Sequence, residues 1–240
     1  MVTMTTILFA ALGVLSAAAI VWLMDLLPAQ SFCDYEETPG EEHLPPRIRK
    51  GERLLCGVLL ALVFPLLHLR LGANWACMSL CLFTAAMLMA ALSDAKFCII
   101  PDETIIFGCG AAVSAAIPRV LAGQTLADKL SPVIGAGVAV ASMLVIHLLG
   151  RLLYKADTLG MGDFKLMLIC GIACGGSGVL IALMLGILTA AIWYGTALVL
   201  KRVSLGAYLP LGPFLVLGTL TTLCFRPQID ALLSWYITHI

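Results

Sequence analysis

Long apolar runs, separated by short polar or glycine- and proline-containing breaks, constrain the fold of this chain more than any other feature of its sequence. A helix that crosses a membrane needs about 20 predominantly apolar residues, and such runs occupy most of the 240 residues. Hydrophobic residues make up 61% of the chain and charged residues 12%, whereas a typical soluble domain carries about 25% charged residues. The sequence therefore predicts an all-α, polytopic membrane helix bundle in which residues 1–240 form a single integral membrane domain.

The breaks between the runs predict about eight transmembrane helices. Their approximate bounds are residues 4–27, 53–71, 74–93, 103–121, 131–153, 164–175, 178–200 and 211–225. The sixth run is short for a full crossing, and residues 175–178 are typical of a tight turn after it. Residues 164–200 could instead form one bent helix, and the segments after it would then lie on the opposite side of the membrane. Residues 226–240 begin with Arg226 and Pro227 and are a candidate for a segment along the membrane interface.

The distribution of basic residues predicts the orientation in the membrane. With the N-terminus outside, the inner segments carry ten Lys and Arg residues and the outer segments carry four, as the positive-inside rule requires. The outer four are Arg70, Arg119, Lys129 and Arg226.

The longest loop, residues 29–52, then faces the cytoplasm and is locally acidic. Its carboxylates are Asp34, Glu36, Glu37, Glu41 and Glu42. The loop is either a solvated connection or a surface that attracts a basic partner. The whole chain has a net charge of zero, so its composition gives no indication of a nucleic-acid partner.

Two aspartates lie at the edges of apolar runs. Asp94 closes the third run and Asp163 opens the sixth. Two predicted spans separate them, and an even number of crossings returns the chain to the same face, so both are predicted at the cytoplasmic edge. Ionisable residues in such positions usually face a bundle interior or a water-filled cavity and mark functional sites. The simpler alternatives are a helix-capping role for Asp163 and an interfacial position for Asp94.

Aspartic peptidases hydrolyse peptide bonds with a pair of neighbouring carboxylates. Repulsion between the two raises one pKa and leaves the other low, so one carboxylate activates water while the other protonates. Gly160 and Gly162 lack a Cβ, which would allow a substrate backbone to approach Asp163, and glycine tolerates unusual dihedral angles. Two other functions remain open: a small ion-coupled transporter with Asp94 and Asp163 as proton carriers, and a noncatalytic membrane scaffold.

Four segments resemble motifs of type IV prepilin peptidases. The segment "GMGDFKL", residues 160–166, resembles the GxGD motif of that family and, more remotely, of archaeal preflagellin peptidases and presenilins. The segment "SDAKFCIIPDE", residues 93–103, resembles the one in which the first catalytic aspartate precedes an Ile-Pro-Asp element. The segments "LSPVIGAGVAV", residues 130–140, and "YLPLGPFLVLG", residues 208–218, resemble the helix that leads to GxGD and the Pro-x-Gly-Pro-Phe motif. The resemblance covers roughly residues 80–220 in collinear order, which would form the GxGD peptidase core.

The resemblance implies a GxGD intramembrane aspartic endopeptidase that removes the short basic leader from type IV prepilins or pseudopilins. It implies a multi-pass protein of the bacterial cytoplasmic (inner) membrane whose partners are these substrates and the lipid bilayer. Asp94 and Asp163 fall on the catalytic positions. The implied substrate-binding or active-site loop positions are Gly160, Gly162, Lys165, Pro210, Gly212 and Pro213.

Two lysines and a third aspartate lie beside these motifs. Lys96 and Lys165 each follow an aspartate by two residues and could tune the pair. Asp102, directly after Pro101, is expected to cap the fourth helix rather than to act in catalysis.

No metal or cofactor is predicted. The nine cysteines form no CxxC pair and lie mostly in apolar runs, as packing residues do. Many bacterial members of the family carry two CxxC pairs in the first cytoplasmic loop, associated with zinc and with N-methylation of the product. This loop has only Cys33, and adding His43 would still leave too few ligands for a tetrahedral zinc site. The resemblance therefore covers the peptidase and leaves the methyltransferase in doubt.

Overall fold

The computed structural model describes residues 4–33, 40–41, 44, 47–154, 160–203 and 209–239. Within these ranges the chain forms eight α-helices and no strand. They are α1 (Met4–Leu26), α2 (Lys50–Leu71), α3 (Trp75–Phe97), α4 (Asp102–Ala122), α5 (Leu126–Tyr154), α6 (Met161–Cys174), α7 (Gly176–Val199) and α8 (Gly212–His239). The predicted all-α membrane bundle is confirmed.

Six of the described helices, α1 to α5 and α7, are long and apolar enough to cross a membrane. Helix α6 has 14 residues and is therefore about 21 Å long, less than the ~30 Å hydrocarbon core. It ends at Gly175, whose φ of 76° breaks the helix before α7 begins. The alternative of one bent helix over residues 164–200 is thus excluded.

Two helices extend beyond the predicted runs. Helix α5 begins at Leu126 because Thr125 and Asp128 form a reciprocal cap, with each side chain accepting a hydrogen bond from the other residue's backbone N–H at 3.1 Å. Helix α8 continues to His239 through a kink at Phe225, where φ is −116° and ψ is 19°. Pro227, just after the kink, cannot complete the helical hydrogen-bond ladder.

The two helices that carry the predicted aspartates form the inside of the bundle. Buried residues make up 72% of the most apolar stretch of α3 but at most 33% of that stretch in the other five spans. Helix α3 packs against α4 and α8, and α4 packs in turn against α6. Side chains of α6 such as Leu166 and Ile169 are fully buried.

A glycine pair sets the position of α6 against α5. A Cβ on Gly135 would overlap the backbone of Gly171, and a Cβ on Gly171 would overlap that of Gly135. The two backbones can approach this closely only because both residues lack a side chain. This contact fixes the helix that presents Asp163.

The loop between α1 and α2 returns to the bundle at Arg47. This side chain is 5% exposed, lies over the Phe32 ring at 4.4 Å and donates hydrogen bonds to the carbonyl oxygens of Met24 and Leu27. Burial lowers the pKa of its guanidinium below the ordinary value. The end of the loop is therefore packed against the bundle. Asp34, Glu36, Glu37, Glu42 and His43 lie outside the described residues.

Candidate active site

Asp94 lies in the last turn of α3 and its side chain is buried, with 6% exposure. The chain reverses directly after it, because Cys98 adopts the left-handed conformation with φ 53° and donates its N–H to the Asp94 carbonyl at 2.9 Å. The hydroxyl of Ser93 donates to the Ile99 carbonyl at 2.6 Å. The turn of residues 98–101 is thus tied to the helix end that carries Asp94.

The N-terminus of α8 meets the carboxylate of Asp94. The backbone N–H of Gly212 donates to Asp94 Oδ2 at 2.8 Å. A helix start leaves such amides without an internal partner and favours a negative charge. A Cβ at position 212 would lie 2.7 Å from the same Oδ2 atom, so only glycine fits this contact.

Tyr194 of α7 fixes the segment that precedes α8. Its hydroxyl donates to the Pro210 carbonyl at 2.6 Å, and its ring packs edge-on against Phe214 with centroids 5.2 Å apart. Pro213 lies in the first turn of α8, where a missing N–H removes no helical hydrogen bond. Sequence reasoning missed Tyr194 because no motif includes it and an aromatic residue in an apolar run is ordinary.

Asp163 lies in the first turn of α6 and is 9% exposed. Gly160 is the N-cap residue, with φ −73° and ψ 150°. These angles are open to any residue, so the expectation of an unusual glycine dihedral is wrong for Gly160. The space at Gly162 is limited by Ile100, whose side chain would lie 3.4 Å from an added Cβ. The turn after α3 therefore packs on the start of α6.

The structure brings the two carboxylates together at one end of the bundle. Asp94 is close enough for its charge to act on Asp163. The half-buried Cys98 thiol, in the turn between α3 and α4, is influenced by both carboxylates. Burial first, and then Asp94 and Asp163, raise the pKa of that thiol above its ordinary value. Apart from lying close to Asp94 in the chain, Cys98 has no sequence feature that indicates a place in the site.

The two lysines next to the aspartates are engaged by other carboxylates. Lys165 Nζ pairs with Asp102 at 2.6 Å, and Lys96 Nζ pairs with Glu52 at 2.8 Å. Neither ion pair involves Asp94 or Asp163, and tuning of that pair by the two lysines stays a prediction. Asp102 does not hold the cap position of α4, because Pro101 is the N-cap residue. The pair of Asp102 with Lys165 instead connects the starts of α4 and α6.

No group of three His, Cys, Asp or Glu side chains within the described ranges is arranged to hold a metal ion. All nine cysteines are free thiols, and seven are buried. Cys33 is one of these, and its Sγ lies 3.4 Å from the Ala29 carbonyl oxygen. The lack of a metal or cofactor requirement stays a prediction.

Fold and site together define a multi-pass membrane protein with two buried, interacting aspartates at one end of its helix bundle. A model of the type IV leader peptidase family matches residues 81–195, which include both aspartates. The prepilin leader peptidase/N-methyltransferase of Bacillus subtilis (strain 168) is 22% identical over 219 residues, covering 86% of this chain and 83% of that protein. No solved structure matches the chain. The predicted resemblance to the type IV leader peptidase family is confirmed over residues 81–195.

Proposed function

We propose that the protein is an aspartic endopeptidase that cleaves the short basic leader from type IV prepilins or pseudopilins at the cytoplasmic membrane face. The observation that carries this proposal is the pair of buried carboxylates, one in the last turn of α3 and one in the first turn of α6. They interact with each other inside a segment that matches a peptidase family. Asp94 and Asp163 are the proposed catalytic residues.

The two carboxylates share one proton at the start of the reaction, because two negative charges this close are unfavourable. The ionised carboxylate takes a proton from water, and the water oxygen bonds to the carbonyl carbon of the scissile peptide. The protonated carboxyl group donates a hydrogen bond to the carbonyl oxygen. A proton then passes to the amide nitrogen as the C–N bond breaks, which yields a carboxylic acid and a free amine.

The neighbouring residues have positioning roles in this scheme. The Gly212 amide holds one oxygen of Asp94 and leaves the other oxygen to act on water and substrate. Tyr194 holds the Pro210 segment that delivers Gly212. Gly160 leaves the start of α6 without a side chain, which gives an unwound substrate backbone access to Asp163, whereas Gly162 allows Ile100 to pack closely against the start of α6.

The distribution of charge supports cleavage of the substrate at the cytoplasmic face. Ten basic residues on the inner segments against four on the outer ones support a cytoplasmic position for the dyad. A basic leader is attracted by the acidic loop on that side. N-methylation of the product is not part of the proposal, since the loop contains only Cys33 and that thiol is buried.

The test is leader removal from a synthetic prepilin by purified protein. Asp94→Asn and Asp163→Asn should each abolish cleavage while leaving the thermal unfolding temperature near that of the wild type. Asp128→Asn is the matched control, because this exposed aspartate lies at the start of α5 and an asparagine retains its capping oxygen. Substantial turnover by either folded dyad variant would refute the assignment. An ion-coupled transporter would show aspartate-dependent uptake and no cleavage.

A further inference from the structure

A second polar feature lies at the end of the bundle away from the aspartates. It is a cavity of about 300 Å³ between the ends of α2, α4 and α6, the first turns of α5 and α7 and the middle of α8. Cys174, which lines it, is eleven residues along α6 from Asp163, or about 16 Å at the helical rise. The cavity is therefore separate from the proposed catalytic site.

Three arginines from three different helices line this cavity: Arg70, Arg119 and Arg226. They are three of the four basic residues that the sequence assigns to the outer side. Each lies within electrostatic range of another, since Arg70 and Arg226 both act on Arg119 and Arg226 acts on Arg70. The one carboxylate in the lining, Asp230, leaves the cavity with a net positive charge.

The existing contacts neutralise only part of this positive charge. Arg226 Nε donates to both oxygens of Asp230, at 2.9 and 2.8 Å. Arg119 donates to the Ala173 carbonyl at 2.8 Å. Across the part of the chain that the structure describes, no group accepts a hydrogen bond from the Arg70 guanidinium, which is half-buried. Charge repulsion among the three guanidinium groups would be relieved by an anion.

The donors in the cavity suit a phosphate group. Planar guanidinium groups bind phosphate oxygens through two parallel hydrogen bonds. The start of α7 at Gly176 and Ser177 adds backbone amides and a positive helix end. The Ser177 hydroxyl accepts from Arg226 at 2.7 Å, so its own proton is free to donate to an anion.

We propose that this cavity binds a phosphate group, supplied either by a phospholipid headgroup or by free phosphate. The bound group would link α2, α4, α7 and α8 at the end of the bundle remote from the dyad. It would stabilise the fold by binding the folded state alone, without a direct part in peptide hydrolysis.

The experiment measures thermal unfolding of the full-length protein in detergent while phosphatidylglycerol or inorganic phosphate is titrated, with sodium chloride at matched ionic strength as reference. In Arg70→Gln, the ligand concentration that gives half of the maximal stabilisation should be about tenfold higher or more, as expected for loss of one charge-assisted contact. Lys129→Gln is the matched control, because it removes the same charge at the same end of the bundle but outside the cavity lining. Asp163→Asn should bind as the wild type does, which separates this proposal from that of catalysis.

Ser177→Asp provides a second variant that preserves all three arginines. Its carboxylate would lie beside Arg226 at the N-terminus of α7, where an acidic residue is favourable. This variant should unfold at a higher temperature without ligand and should lose the response to either added phosphate compound. A response to phosphatidylglycerol alone identifies a lipid headgroup, whereas a response to inorganic phosphate identifies the free anion. No response of the wild type to either, or an unchanged response in folded Arg70→Gln, would overturn the proposal.

Discussion

Replacing Gly212 by alanine probes the contact that orients Asp94. The added Cβ would lie 2.7 Å from Asp94 Oδ2 and 3.0 Å from its Cγ, whereas carbon and other heavy atoms normally approach to about 3.5 Å. The carboxylate must therefore move by roughly 0.5–1 Å away from α8. The start of α8 has little freedom to yield instead, because Tyr194 holds the preceding Pro210 carbonyl.

The size of the effect follows from two losses. The hydrogen bond from the Gly212 amide to Asp94 Oδ2 is charge-assisted whenever the carboxylate is ionised, and such bonds contribute about 1.5–3 kcal/mol. Misplacement of a catalytic group by about 1 Å reduces a rate by about a hundredfold. We therefore expect kcat for leader cleavage to fall about 10- to 100-fold, with a smaller change in KM because the substrate contacts elsewhere are intact.

The assay is steady-state leader cleavage by Gly212→Ala, with the thermal unfolding temperature recorded on the same preparation. Gly110→Ala is the control, since a Cβ added to this helical glycine of α4 would meet no atom within 4 Å. The control should keep wild-type kcat. A folded Gly212→Ala protein with undiminished kcat would show that the Gly212 contact does not orient a catalytic group.

Three further predictions concern groups around the dyad. Tyr194→Phe retains the ring but loses the hydrogen bond to Pro210. Loss of one neutral hydrogen bond contributes about 0.5–1.5 kcal/mol, so kcat should fall by about two- to tenfold with a small decrease in the unfolding temperature; unaltered kcat would contradict a positioning role. Because the pKa of the Cys98 thiol is raised and the thiolate is the reactive form, its rate of alkylation by iodoacetamide should keep rising with pH beyond the range in which an ordinary thiol, with a pKa of about 8.5, levels off. Alkylation should also block cleavage in the wild type but not in Cys98→Ser; equal inhibition of both would place the reactive thiol elsewhere. Neutralising the carboxylates of the acidic loop should raise the KM for leader cleavage, mainly at low salt, where screening is weak. The five residues are Asp34, Glu36, Glu37, Glu41 and Glu42. An unchanged kcat/KM at low salt would show that the loop is only a solvated connection.

The sequence was sufficient for features that depend on local pattern. Apolar run lengths predicted the eight helices, but only six of the described helices, and not the predicted eight, are long and apolar enough to cross a membrane. The crossing count between Asp94 and Asp163 predicted that they share one end of the bundle. Gly175 marked the break between α6 and α7 because glycine is the residue that readily adopts its φ of 76°. The run lengths and Gly175 lie within a few residues of the features they predict, whereas the crossing count depends only on the number of helices between the two aspartates.

Features that depend on side-chain direction could not be predicted in the same way. Lys165 lies two residues from Asp163, yet it reaches across to Asp102 on another helix. Tyr194 bonds to Pro210 through packing of α7 on α8. The three arginines of the cavity come from helices far apart in the chain, so no sequence spacing indicates that they meet.

The short length of α6 connects the proposed catalytic site with the proposed phosphate site. With Asp163 at the cytoplasmic edge, a helix of about 21 Å ends about 9 Å short of the far side of a ~30 Å hydrocarbon core. Arg119 donates to the carbonyl oxygen of Ala173 at that recessed end, so its guanidinium group would lie below the edge of the hydrocarbon, where a charge without an anionic partner is costly. Local thinning of the bilayer or inward reach of a headgroup phosphate resolves this mismatch. With Asp163 at the cytoplasmic surface, as proposed, the short length of α6 therefore favours an anion near the other surface.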